Sequence, residues 1–319
     1  MLKALFIYLS KARWARQIVT RWGFARRAAG RFIAGDTLDE AITSVRALNA
    51  RGFNVTLDHL GENVSALSDA LRATDDYLVL IDRICGADVR ANVSLKLTQL
   101  GLLQDLQACQ DNLSCVVHKA QACGGFVRID IEDSSTTDRT WQVYRGLRSQ
   151  GLDNVGVAVQ SYLYRSVDDV KKLLDDGARI RLVKGAYSEP ANLAFPLKKD
   201  VDANFDALSR MIIDAALAAG SRPVSADGRV PPMMAIASHD PARVEAARAY
   251  AERVGLPKSA LEFQMLYGIR QDLQEKLAAA GYPVRVYVPY GTEWYPYFVR
   301  RLAERPANVW FFLEHLVRG

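Results

Sequence analysis

The chain is predicted to be an α/β protein, a (β/α)8 TIM-like barrel preceded by an N-terminal helical arm. Eight short β-rich runs alternate with helical patterns, at residues 53–57, 92–97, 126–131, 155–160, 180–184, 233–237, 261–266 and 284–288. Strands separated by helices form right-handed βαβ units and a parallel sheet, and eight such units close on themselves. No G-x-G-x-x-G follows the first run and no G-x-x-x-x-G-K-[ST] occurs. Both absences count against an open doubly wound sheet and a phosphate-cradling loop. With 319 residues, half of them hydrophobic, the chain has the size of one such barrel.

In chain order, residues 1–35 form the arm and residues 36–319 the barrel. The arm carries eight basic residues and no acid, against a net charge of +5 for the whole chain, so the remainder is net negative. Leu5, Leu9, Ile18, Trp22 and Phe32 give the arm an amphipathic character. Three uses fit it: docking on the protein's own body, docking on a partner subunit in a homo-oligomer, or peripheral contact with an anionic membrane surface. Nucleic acid is disfavoured, because the basic residues do not recur along the chain. A first helix is expected over residues 36–50, opened by the T-x-x-E capping box of Thr37 and Glu40 and stopped at Gly52. A helical segment at 201–219 and a Pro/Gly-rich loop at 220–232 form the longest connection, between the fifth and sixth strands. After the eighth strand a Pro-Tyr-Gly turn is expected at 289–291, then a helix from about Thr292.

No apolar run approaches the ~20 residues of a membrane span, and the run 5–9 lacks a small-residue cleavage site. Cys85, Cys109, Cys115 and Cys123 form no C-x-x-C pair, and His118 among them fits no zinc spacing. They are read as ordinary reduced thiols, with no metal and a cytoplasmic setting.

In a barrel of this kind chemistry sits at the carboxyl ends of the strands. Those ends carry Asp58, His59 and then Glu62; Lys96; Asp130, Glu132 and Asp133; Gln160; Arg181 and Lys184; Ser238, His239 and Asp240; Glu262 and Gln264; and Tyr287. Lys96 and Asp130 interrupt apolar strands, so partners must converge on them. Any one of these residues could simply finish the barrel rim, His239 and Asp133 as caps. The final helix adds Arg300 and Arg301, with Glu304 one turn later to orient them and Tyr297 placed for a cation–π contact with Arg300. Two adjacent guanidinium forks grip a carboxylate from two directions. No Ser-His-Asp set and no strand-end thiol supports acyl transfer. The residues leave two chemistries open: a Schiff-base aldolase using Lys96 or Lys184, and redox chemistry on an amino acid with a bound cofactor. A barrel kept only as a binding module is a third reading.

Eight segments, taken together and in order, resemble the proline dehydrogenase family, specifically its bacterial monofunctional members. They are Leu60-Gly-Glu62, Val93-Ser-Leu-Lys96, Arg128-Ile-Asp-Ile-Glu-Asp133, Val159-Gln160, Arg181-Leu-Val-Lys-Gly-Ala-Tyr187, Glu262-Phe-Gln-Met-Leu-Tyr-Gly268, Tyr287-Val-Pro-Tyr-Gly291 and Arg300-Arg-Leu-Ala-Glu304. The resemblance spans residues 36–319 and implies a distorted barrel holding FAD non-covalently. It implies hydride transfer from C5 of L-proline to flavin N5, giving Δ1-pyrroline-5-carboxylate, and then reduction of a membrane quinone. It assigns Lys96, Arg300 and Arg301 to the proline carboxylate, Tyr287 to the proline ring and to discrimination against 4-hydroxyproline, and Leu266 to an apolar wall. Arg181 is expected at flavin N5, with Glu62 pairing to it as a gate, and Asp130 is expected to stabilise the site near Lys96. Gln160 and Ile131 are expected at the isoalloxazine, and Lys184, Gly185, Ala186, Ser238 and His239 along the rest of FAD. Ser238 replaces the family's frequent threonine and keeps the hydroxyl. The chain is expected to stop at the pyrroline product, because nothing after Gly319 would form an aldehyde dehydrogenase module.

Overall fold

The computed structural model describes Arg26, residues 29–61 and residues 64–304, the last three by backbone alone. Eight strands form a closed barrel in sequence order: β1 (Asn54–His59), β2 (Ala91–Leu95), β3 (Val127–Ile129), β4 (Val155–Gln160), β5 (Arg179–Val183), β6 (Met234–Ala237), β7 (Leu261–Leu266) and β8 (Val284–Tyr290). Every neighbouring pair is parallel, and β8 closes the barrel against β1 with Thr56 opposite Tyr287. Strands packed between barrel core and helical shell bury both faces, which is why β4 reads Val-Gly-Val-Ala-Val-Gln with every residue buried. The predicted bounds of β4 and β7 coincide with those observed, and the other strands differ by one or two residues at an end.

Helix α1 (Leu38–Ala50) opens as its sequence requires. The Thr37 hydroxyl accepts from the Glu40 amide at 3.3 Å, and the Glu40 carboxylate accepts from the Thr37 amide at 3.0 Å. The backbone amides of Thr37 and then Asp36, which also donates to that carboxylate at 2.8 Å, hold the Glu40 carboxyl below its ordinary range. The shell continues with α2 (Leu67–Ala87), α3 (Leu106–Ala122), α4 (Thr137–Ser149), α5 (Ser166–Asp175), α6 (Lys198–Ala218), α7 (Pro241–Val254) and α8 (Gln271–Ala279). Helix α1 packs on both β8 and β1, the place where a helix following β8 would ordinarily close the shell. The helix that does follow β8, α9 (Trp294–Glu304), lies instead over the cavity at the carboxyl end of the barrel. The resemblance implied a distorted barrel without saying where; the distortion lies in this last helix. Trp294, Tyr295, Tyr297, Phe298 and Val299 of α9 share a small apolar core with Ala29, Phe32, Ile33, Leu60 and Ile269. The last residues of the arm therefore dock on the protein's own body, and Arg26 adds an ion pair to Asp36 at 2.8 Å. The rest of the arm lies outside the described residues.

The floor of the barrel is polar and sealed. Arg285 of β8 grips Glu262 of β7 with two bonds of 2.9 Å, and both side chains are fully buried. Arg285 also donates to the Gly228 carbonyl at 2.8 Å and the Val55 carbonyl at 2.9 Å. Gly228 belongs to the 220–232 loop, which the sequence left featureless and which caps the amino-terminal end. A Cβ there would stand 2.2 Å from Asn54 Oδ1, at a φ of +69° that already favours glycine. Glu262 was read as a strand-end group on the reactive face. The structure corrects this, placing it two positions below Gln264 on the inward side of β7.

Three further expectations change. Cys85 and Cys123 are joined as a disulfide between the ends of α2 and α3, with Cα atoms 6.1 Å apart, so the four cysteines are not all thiols and no longer argue for a reducing compartment. Cys109 and Cys115 remain free, and burial pushes the Cys109 thiol up to about 12. The expected turn at 289–291 is strand as far as Tyr290, and α9 starts at Trp294 rather than Thr292.

Removing Glu262 would strand a charge that is 99% buried. Glu262→Ala should lower the unfolding free energy by about 3–5 kcal/mol, the usual cost of breaking a buried ion pair. Urea denaturation would measure it, and a loss under ~1 kcal/mol would mean the floor pair is not needed for stability.

Candidate active site

A cavity of about 520 Å³ opens at the carboxyl end of the barrel under α9. It is lined by Lys96, Asp130, Ile131, Gln160, Arg181, Lys184, Gly185, Ala186, Ser238, His239, Leu266, Tyr287, Arg300 and Arg301. These are all the residues to which the resemblance assigned a role except Glu62, which lies outside the described residues. Asp58, Ala158, Val183, Ala237, Gln264, Met265 and Tyr297 complete much of the wall.

Its deep end is a charge network crossing the barrel interior. Asp130 Oδ1 accepts from Arg181 Nη1 at 2.6 Å and from the Ser94 hydroxyl at 2.7 Å. Asp130 Oδ2 accepts from the Tyr287 hydroxyl at 2.7 Å. Arg181 Nε donates to Gln264 Oε1 at 2.6 Å, and its guanidinium faces the Tyr287 ring at 5.4 Å. Burial, together with the charges of Asp130 and Asp58, holds the Tyr287 phenol well above its ordinary value, so it remains a neutral donor near pH 7. Lys96 Nζ lies 3.2 Å from Asp58 Oδ1, and the Asp58 side chain is almost wholly buried. Burial raises the Asp58 carboxyl, and the Lys96 ammonium opposes that rise.

Toward the mouth, Gln160 donates from Nε2 to the Glu132 carbonyl at 2.8 Å and accepts from the Ala186 amide at 3.3 Å. Gly185 has a φ of +127° and lies against the Tyr162 ring, where a Cβ would come within 2.3 Å. Lys184 Nζ is held between Asp202 and Asp240, at 2.6 Å from Asp240 Oδ2. His239 Nε2 accepts from the Leu266 amide at 3.0 Å, which ties β6 to β7 beside the cavity. Among the residues read as caps, Asp133 does cap, accepting from Ser135 N at 3.0 Å, and Glu132 binds Thr98 rather than facing the cavity. The cation–π contact expected between Tyr297 and Arg300 falls instead on Arg301, at 5.1 Å, and the Glu304 side chain lies outside the description.

Sequence reasoning gave no role to Gln264, Ser94 or Asp202 at this site, and placed Asp58 and Asp240 at strand ends without assigning them. Asp58, Gln264 and Ser94 each follow from strand alternation. They lie on the inward side with Thr56, Glu262 and Asn92, two residues from each. Asp202 sits one turn into α6, and no local pattern announced it.

A family model described as proline dehydrogenase matches residues 41–313 of this chain. The chain belongs to the proline dehydrogenase family. It is 36% identical to proline dehydrogenase 1 of Bacillus subtilis strain 168 across the full length of both proteins. It is 40% identical to the proline dehydrogenase of Deinococcus radiodurans over 91% of this chain and 90% of that one. Among solved structures it resembles proline utilization A of Bdellovibrio bacteriovorus inactivated by N-propargylglycine, with a TM-score of 0.78 and 26% identity over 88% of this chain and 33% of that one. The enzyme is thus a proline dehydrogenase, an oxidoreductase acting at the first step of proline catabolism. Both the aldolase and the binding-module readings are overturned. In this proline dehydrogenase the two strand lysines are engaged in ion pairs with Asp58, Asp202 and Asp240.

Asp240 links the cavity rim to stability. Burial would raise its carboxyl, but the Lys184 ammonium, the Ala242 amide and the Lys198 ammonium together outweigh burial and hold it at about 2. A carboxyl held low stabilises the fold above its ordinary value of 3.8 and loses that contribution as pH falls toward 2. Asp240→Asn, which keeps the helix cap, should melt below the parent at pH 6. The difference in Tm should shrink steadily between pH 4 and pH 2, and a constant difference would show that the ion pair is not its source.

Proposed function

We propose that the cavity holds FAD beside L-proline and that the enzyme removes hydride from proline C5, giving Δ1-pyrroline-5-carboxylate, before a quinone reoxidises it. The observation that carries this reading is the set of cations Lys96, Arg181, Arg300 and Arg301 gathered on one barrel mouth with an apolar wall of Leu266, Met265 and Tyr287. A small amino acid with one carboxylate and an apolar ring fits that pairing. N-propargylglycine, named for the Bdellovibrio protein, shares with proline a carboxylate and a secondary amine.

The donor set also fits a flavin dinucleotide. The volume lies within the roughly 300–1,000 Å³ of cofactor sites. Ala158, Val183 and Ala237 offer an apolar surface for a ring, and Gln160 offers an amide at its edge. Lys184, Ser238 and the backbone at Gly185 and Ala186 would hold the phosphate portion, and His239 lies beside them. Ile131 would pack against the ring, with Arg181 at its reactive edge. Once bound, the flavin accepts the hydride.

The protein's own residues supply orientation and charge. Arg300, Arg301 and Lys96 fix the carboxylate, which sets the far end of the proline ring against the cofactor. Tyr287, anchored by Asp130, crowds the ring and disfavours a 4-hydroxyl. Asp130 keeps Arg181 in place, and Arg181 offers positive charge where reduction builds negative charge. Glu62 would pair with Arg181 as a gate. The basic arm would bring the enzyme to the inner face of the membrane that holds the quinone, or to a second subunit.

Anaerobic L-proline should bleach the visible flavin absorption of the purified enzyme. Flavin that stays oxidised would refute proline as the reductant, and a protein that takes up no FAD would refute the cofactor. Arg301→Met should lower kcat/KM for proline by about 2–5 kcal/mol, mainly through KM. An unchanged KM would move the carboxylate elsewhere. Tyr287→Ser should raise the hydroxyproline-to-proline ratio of kcat/KM, and an unaltered ratio would remove Tyr287 from the pocket wall.

A further inference from the structure

Gln264 bridges the sealed floor of the barrel and its reactive end. Its Nε2 donates to Glu262 Oε1 at 2.6 Å, and its Oε1 accepts from Arg181 Nε at 2.6 Å. All three side chains are buried, each 4% exposed or less. An amide can be turned either way, but here only one direction is possible. Glu262 is clamped by Arg285 through both oxygens and can only accept, so the amide nitrogen must face it. The carbonyl oxygen must then face Arg181. The orientation of one guanidinium at the cavity is thereby set by an ion pair on the far side of the barrel core.

Arg181 is held on two sides by this arrangement. Its Nε goes to Gln264 and its Nη1 to Asp130 and Ser94, the latter at 3.2 Å. That leaves Nη2, among the described residues, as the nitrogen available to the cavity. Asp130 and Ser94 alone grip one nitrogen and leave the guanidinium plane free to rotate about it. The second grip at Nε fixes the plane.

We propose that Gln264 is a positioning residue for proline oxidation: with Glu262 and Arg285 behind it, it fixes the plane of Arg181 toward the reacting end of the cavity. This rests on the placement of Arg181 beside the reacting atoms given under the proposed function. Gln264 need not touch the substrate to act.

Two variants separate positioning from general support. Gln264→Leu removes both bonds at similar size. Gln264→Glu can restore both while protonated, because a carboxylic acid donates to Glu262 from its hydroxyl and accepts from Arg181 at its carbonyl. The charged and titratable groups around position 264 are Glu262, Arg285, Arg181, Arg128, Asp130 and Tyr287. Glu262 and Arg181 are equally near, each bonded at 2.6 Å; burial and the Glu262 carboxylate favour the proton on a glutamate there, and the Arg181 guanidinium opposes them.

The experiment measures kcat and KM for L-proline in the parent, Q264L, Q264E and R181M from pH 6 to pH 9. Q264L should lose kcat by about 100-fold while KM changes by less than about 3-fold, since the carboxylate is held elsewhere. Q264E should be close to the parent at pH 6 and lose kcat as pH rises. Its stability should follow the same course in urea, without reference to activity. A carboxyl whose folded pKa is raised contributes stability at low pH and loses it as pH passes that pKa.

If R181M turns over like the parent, the placement of Arg181 is wrong. If R181M fails while Q264L keeps kcat within about twofold, Arg181 matters and Gln264 does not position it. If the stability of Q264E falls with rising pH while its kcat stays with that of the parent, the bond to Glu262 does not set Arg181, and the inference is likewise overturned.

Discussion

Arg181 lies inside a barrel with only 4% of its surface exposed, and a guanidinium so buried persists only where acceptors are already in place for it. Asp130 follows directly on β3, Ser94 comes from β2 and Gln264 from β7, so the acceptors reach across the barrel rather than along its wall. Bonds between strands that are not neighbours can only pass through the interior. The polar core therefore ties opposite sides of the barrel together and fixes Arg181 at the deep end of the cavity. The same network explains why Asp130 interrupts an otherwise apolar strand. Its two oxygens serve Arg181 and Tyr287 separately, so a single carboxylate orients both a charge and a ring wall.

The outer shell solves a second problem. A carboxylate ligand needs fixed cations above the barrel, and strand ends alone supply few. Filling the β8–β1 position with α1 releases the helix after β8 to cross the mouth. Arg300 and Arg301 then descend on the cavity from above while Lys96 and Arg181 reach it from the strands. The displaced helix would leave apolar residues uncovered. Phe32 and Ile33 of the arm meet them, and Gly268 lets the arm approach closely, because a Cβ there would stand 1.7 Å from the Arg31 carbonyl oxygen. The basic arm thus contributes to the site indirectly, by supporting the helix that carries the arginine pair.

Much of this was legible in the sequence because strands buried on both faces write continuous apolar runs. The bounds of β4 and β7 coincide with the observed ones for that reason, and Thr37 and Glu40 announce α1 through a local motif. What was missed depends on distance or on depth. The Cys85–Cys123 disulfide joins residues 38 apart, and no spacing rule identifies it. Pro-Tyr-Gly at 289–291 reads as a turn, yet the Pro289 carbonyl accepts from Ala34 N at 2.9 Å and the strand runs past Pro289 to Tyr290. Glu262 and Gln264 both read as polar groups at the carboxyl end of their strand, but only Gln264 lies at the cavity. Composition cannot separate them. Their order along β7 can, since the residue nearer the strand's amino end must lie nearer the floor.

That ordering carries a wider consequence for how the site is built. On β7 and β8 the inward positions alternate between floor and cavity: Glu262 then Gln264, Arg285 then Tyr287. On β3 the same step runs from Arg128, stacked over Phe126 at 4.9 Å, to Asp130. The lower layer holds two arginines and one glutamate, all essentially excluded from solvent. Burial, with Arg181 as a like-charged neighbour, pushes the Arg128 guanidinium well below its ordinary value. A layer this charged would be unstable alone. It is tolerated because Glu262 within the layer and Asp130 in the layer above both favour the charge on Arg128. The floor and the cavity are therefore one electrostatic unit. A substitution at the floor acts on the reactive face as well as on stability, and the two effects pass through Gln264, which bonds to both layers.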